Sequence, residues 1–124
     1  DGFTIKAVGR VIEPNSTNFP ISGNKSFVLN GGQSYNNYII ISGLQGVGTF
    51  SMKWAPWRDG NGDLGTAILV SDGTTTERIR VPYDEEYVNI FAIKFNNPLA
   101  QSILISPVQT TQRNARIRID DIRF

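Results

Sequence analysis

The sequence predicts an all-β protein, a two-sheet antiparallel β-sandwich of about nine strands in a single domain over residues 1–124. Three observations predict it. Short runs rich in Ile, Val, Phe and Thr recur about every ten residues, a spacing that suits a sandwich. Clusters of Gly, Asn, Asp and Pro separate them, which is turn chemistry. No stretch carries the ~3.6-residue periodicity of an amphipathic helix.

In chain order the runs are FTIKAVGRVI (3–12), KSFVLN (25–30), YIIIS (38–42), GTFSMKWA (48–55), TAILVS (66–71), ERIRVPY (77–83), VNIFAIKF (88–95), SILISPV (102–108) and ARIRIDDIRF (115–124). The turns SGN, NGG, SGLQG, DGNGD, SDG, YDEE, NNP and TQRN lie between them. EPNSTNFPISGN (13–24) is the longest stretch without a strand pattern and reads as a surface loop. Alternation assigns the faces, because successive strand side chains point to opposite sides. Phe50, Met52 and Trp54 share one face, with Ser51 and Lys53 on the other. Ile79 and Val81 go inward with Arg78 and Arg80 outward, and Ile117 and Ile119 inward with Arg116 and Arg118 outward. YIIIS and AILV have no polar alternation and read as central strands.

Composition narrows the function. Hydrophobic residues make up 40% and charged residues 19%, the balance of a globular chain rather than a disordered one. A net charge of +1 does not advertise nucleic-acid binding. No apolar run approaches the ~18 residues of a membrane-spanning helix. With no cysteine and no histidine, the chain has no disulfide, no thiol nucleophile, no zinc–histidine site and no Ser-His-Asp triad. An enzyme would have to work with carboxylates, lysine, tyrosine or serine. The only dense acidic cluster, Asp84, Glu85 and Glu86, falls in one turn, whereas paired catalytic carboxylates face each other across a cleft. The expectation is a protein with no catalysis of its own. The chain opens at Asp1, and we expect a domain excised from a larger, processed protein.

The stretch KWAPWRDGNGDLG (53–65) holds both tryptophans. Alternation puts Trp54 with Phe50 and Met52, the position of a core ring. Trp57 follows Pro56, which breaks the pleat, so it belongs to a strand end or loop. There it either caps the core or offers a flat apolar face to a ligand. An indole suits a pyranose ring, whose C–H face is apolar and whose hydroxyls pair with planar polar groups. Tyr35 and Tyr38 with Asn36 and Asn37, and Asn96 with Asn97, supply such groups, although each loop asparagine is also ordinary turn chemistry. Asp59, Asn61 and Asp63 alternate like the start of an EF-hand, but Leu64 and Val70 stand where its glycine and final acid belong. That segment reads as a hairpin turn.

Lys53, Arg78, Arg80, Arg116 and Arg118 all point outward in this scheme. If their strands are neighbours, they form a positive stripe. Such a stripe is either a solvated face with cross-strand ion pairs or a groove for an acidic polymer, whose carboxylates or sulfates suit the arginine fork.

The final strand ARIRIDDIRF, with SGNKSFVLN and LQGVGTFSMKWAPW, resembles the jelly-roll carbohydrate-binding modules of bacterial polysaccharide-degrading enzymes. The resemblance spans most of the chain through loose motifs. It implies a jelly-roll sandwich, secreted or at the bacterial cell surface, that binds a polysaccharide and keeps a covalently linked catalytic domain near it. A structural or adhesive domain is the alternative. Ligand residues under this reading are Trp57, Trp54, Tyr35, Lys53, Arg78, Arg80 and Arg116. Many such modules hold one structural Ca2+, and the resemblance would place it on Asp120, Asp121 and Glu13, whose oxygen ligands suit that hard cation.

Overall fold

A computed structural model describes residues 2–9, 11–12, 27–30, 37–56, 66–81, 89–108 and 116–124. These residues form ten strands and no helix: β1 Thr4–Val8, β2 Val11–Ile12, β3 Phe27–Asn30, β4 Tyr38–Ser42, β5 Val47–Pro56, β6 Thr66–Ser71, β7 Thr76–Val81, β8 Asn89–Asn97, β9 Ser102–Pro107 and β10 Arg116–Arg123. They pair into two five-stranded sheets. Sheet A runs β1-β4-β9-β6-β7 and sheet B runs β2-β3-β10-β5-β8. Every pairing is antiparallel. From β4 to β6, and again from β7 to β10, the chain crosses repeatedly from one sheet to the other, as in a jelly roll.

The count exceeds the expected nine because the first run is two strands. Gly9 sits at φ +86°, a backbone conformation that L side chains resist, and turns the chain out of β1 in sheet A into β2 in sheet B. Elsewhere the runs predicted the strands to within a few residues.

The core lies between the sheets. Sheet A contributes Ile39, Ile41, Ile68, Val70, Ile103 and Ile105, all fully buried. Sheet B contributes Phe50, Met52, Trp54 and Ile119, with Phe91, Ile93 and Phe95 of β8 partly buried against them. One layer is β-branched and the other aromatic and flexible, so stiff ridges meet side chains able to fill the gaps. At one end of the sandwich Gly46 (φ +92°) lets the β4–β5 turn lie against Pro98. A Cβ there would come within 3.0 Å of the Pro98 carbonyl oxygen. The Gly46 N–H donates to the Ala100 carbonyl at 2.8 Å, tying the β4–β5 turn to the β8–β9 turn.

Candidate functional site

The face of sheet A that points away from the core follows from its register, since directly opposed residues of an antiparallel pair share a side. The inward residues of β4, β9 and β6 are the buried isoleucines and Val70. The outward ones are therefore Tyr38, Ile40 and Ser42; Ser102, Leu104 and Ser106; and Ala67, Leu69 and Ser71. One row crosses all five strands, running Lys6, Ile40, Leu104, Ser71, Thr76. At the usual ~4.8 Å strand spacing it is about 19 Å wide. Beside it Val8 opposes Tyr38, Ser106 opposes Leu69, and Leu69 opposes Arg78. Arg80 opposes Ala67 on the same side. Tyr38, Ile40, Leu69 and Leu104 are half-buried, while Lys6, Arg78 and Arg80 are exposed. The face thus has an apolar, hydroxyl-bordered middle with cations at its two edges.

The five predicted basic residues do not form one stripe. Arg78 and Arg80 lie on β7 at the edge of sheet A, whereas Lys53 lies on β5 and Arg116 and Arg118 on β10, all in sheet B. Alternation assigns a side of a sheet but cannot say which sheet, and here the two groups belong to different sheets. Arg118 is only 9% exposed, opposite the fully buried Ala55, so it is not a solvated surface cation. The Arg116 side chain lies outside the described residues.

Lys53 has a partner close by. Its Nζ is 2.6 Å from Oδ2 of Asp121. Asp121 takes φ +47° where the β10–β5 register shifts, a bulge that re-aims its side chain. Its N–H donates to Oδ1 of Asp120 at 2.8 Å. The candidate sugar-binding lysine and a candidate calcium aspartate therefore bind one another. Among the described residues no three acidic side chains gather as a metal cluster. The ammonium of Lys53 stands on the carboxylate that a cation would need. Glu13, the third residue of the calcium expectation, lies outside the described residues.

Trp54 is 5% exposed and belongs to the core cluster, opposite Ile119 of β10 and Asn89 of β8. Its place among the ligand-binding residues is corrected: a ring enclosed on both sides has no face left for a sugar. Trp57 and Tyr35 lie outside the described residues. So do Asn36, the Asp59–Asp63 turn and the acidic cluster at 84–86.

Of the asparagines in the sugar-contact set, Asn37 is buried and Asn97 is bonded between two turns. Asn97 donates from Nδ2 to Oδ2 of Asp72 at 2.9 Å, and its own Oδ1 accepts the Leu99 N–H at 3.0 Å. Asp72, in the β6–β7 turn, accepts the N–H groups of Thr74 and Thr75 on Oδ1 at 2.9 and 2.7 Å. Burial pushes its carboxyl up, but the hydrogen bonds from Thr75, Asn97 and Thr74 outweigh that, and it titrates below its ordinary value. The β6–β7 and β8–β9 turns are thereby pinned together.

Ile40, Leu69 and Leu104 carry no surface signal in the sequence. Strands this apolar read as buried on both sides, and only the pairing order reveals that their second face looks outward.

No protein-family model matches the chain, and no curated protein matches it in sequence. Solved structures do match in fold. The K2 cleaved adhesin domain of Lys-gingipain superimposes with a TM-score of 0.66 at 12% identity, over 98% of this chain and 88% of that one. TmCBM61, solved with β-1,4-galactotriose, gives 0.55 at 15% identity, over 97% and 85%. The CBM22-1 xylan-binding domain of Paenibacillus barcinonensis Xyn10C gives 0.54 at 13%, over 95% and 82%. The chain thus has the β-sandwich fold of carbohydrate-binding modules and adhesin domains. At these identities the likeness concerns the fold alone.

Proposed function

We propose that this domain binds a polysaccharide without catalysis, and that the outer face of sheet A is its platform. The observation that supports this reading is the row from Lys6 through Ile40 and Leu104 to Ser71 and Thr76, with Tyr38 beside it and Arg78 and Arg80 at its edge. Apolar side chains and one phenol ring meet the C–H faces of sugars, and flanking hydroxyls and cations meet their polar rims. Two exposed arginines on one edge favour a polymer bearing carboxylates or sulfates, which the guanidinium fork engages bidentately. Tethering a catalytic domain to such a polymer, outside the cell, works through effective concentration, so micromolar to millimolar affinity is enough. Trp57 belongs to the same proposal as an additional stacking ring. A structural or adhesive domain is the second reading, favoured by the closure of Trp54 in the core.

Titration of neutral and acidic polysaccharides by calorimetry and tryptophan fluorescence tests the proposal. Acidic polymers should bind, more weakly as salt rises. The double variant Arg78→Ala/Arg80→Ala should lose about tenfold in affinity with an unchanged melting temperature, in keeping with exposed charged contacts. Tyr38→Ala should weaken neutral and acidic ligands alike. Trp57→Ala should do the same if its ring stacks. Silence across the panel would leave the adhesive domain.

A further inference from the structure

Among the described residues the sandwich has four edge strands, and three are protected in recognisable ways. β2 has two residues, β7 alternates Glu77, Arg78 and Arg80 along a six-residue strand, and β1 is short and carries Lys6. Short length and charge are the usual means by which edges avoid pairing with other chains. β8 has neither. It runs nine residues, NIFAIKFNN, with Lys94 as its only charge, and no described strand pairs with its outer edge. Ile90 is 74% exposed, and Ala92 and Lys94 are exposed beside it, while Phe91, Ile93 and Phe95 are only partly buried.

We infer that β8 is a self-association edge, pairing antiparallel with β8 of a second copy of this chain. The strand is regular from Asn89 to Lys94. Its pairing with β5 then slips between Lys94 and Asn97, next to the positive φ of Asn96. A two-fold axis at Ala92 uses this regular part. It opposes Phe91 to Ile93 of the second copy on the core side, twice, as favourable aromatic–β-branched pairs. On the outer side it opposes Ile90 to Lys94, twice, so the lone charge never meets its own copy. Ala92 meets Ala92 at the axis, where a small side chain leaves the backbones free to approach. The two five-stranded B sheets become one of ten strands. A single strand pair falls short of the ~800 Å² per partner of a standard interface, so the dimer is weak and concentration-dependent.

Sedimentation velocity from micromolar to about 1 mM chain, without glycan, tests this directly. The wild type should shift from monomer to dimer. Ala92→Lys and Ala92→Glu each place like charges across the axis and should remain monomeric, with unchanged circular dichroism and melting temperature because the position is exposed. An equimolar mixture of the two should restore a dimer, since opposite charges then meet. The pairing is overturned by a wild type that stays monomeric throughout, by a dimer that both variants leave intact, or by a mixture that does not reassociate.

Discussion

The outer faces of the two sheets are arranged in opposite ways. Sheet A keeps its charges at the edges, Lys6 on β1 and Arg78 and Arg80 on β7, and leaves apolar and hydroxyl side chains across its middle. Sheet B holds paired or buried charges in its middle, Lys53 with Asp121 and Arg118, and leaves Ile90, Ala92 and the single charge of Lys94 at its edge. Charged edges stop a sheet from growing and leave its face as the place to bind. Paired central charges do the reverse: they satisfy the face and leave the edge available. The same sandwich thus offers a platform on one sheet and a pairing edge on the other.

The largest test of this contrast lies beneath both faces. Phe50→Ala in sheet B should cost about 3–5 kcal/mol and Ile105→Ala in sheet A about 2–5, by urea denaturation, because each leaves a cavity in a fully buried position. If either cost less than about 1 kcal/mol, that sheet would not share the common core, and the contrast between two faces of one sandwich would fail.

A middle-sized effect should come from Asp72. Replacing it by alanine leaves the N–H groups of Thr74 and Thr75 and the Asn97 amide without their acceptor, worth about 1–3 kcal/mol. Its folded pKa is lowered, so its charge contributes stability that is complete above the ordinary value of about 3.8 and is lost as pH falls through the folded value. Asp72→Asn should flatten that acid limb of stability against pH. An unchanged limb would mean that other carboxylates carry it.

The smallest effect belongs to the Lys53–Asp121 pair, which is partly exposed. Lys53→Ala should cost at most about 1 kcal/mol, and less at high salt. With Lys53 on Asp121, added Ca2+ should leave the melting temperature unchanged. A rise with Ca2+ that Asp121→Asn abolishes would mean that an ion displaces the lysine and that the centre of sheet B is a metal site.

Local pattern was enough for the class of fold, for most strand positions and for the inward set of Phe50, Met52, Trp54, Ile79 and Ile119, because period-two alternation is written residue by residue. It also predicted Trp54 as a core ring, and the lack of histidine and cysteine rules out whole chemistries on composition alone. Which strands are neighbours was not legible. Arg78 and Arg118 both belong to an Arg-Ile-Arg triplet, yet one is exposed at the edge of sheet A and the other buried within sheet B. Pairing across the sandwich joins residues far apart in sequence, such as Leu104 with Ile40 and Ser71, and nothing local encodes that choice. The sequence by itself determined an all-β chain with two-faced strands. Only the tertiary structure decided which second faces look outward together, because a face or an open edge is a property of the pairing order rather than of any single strand.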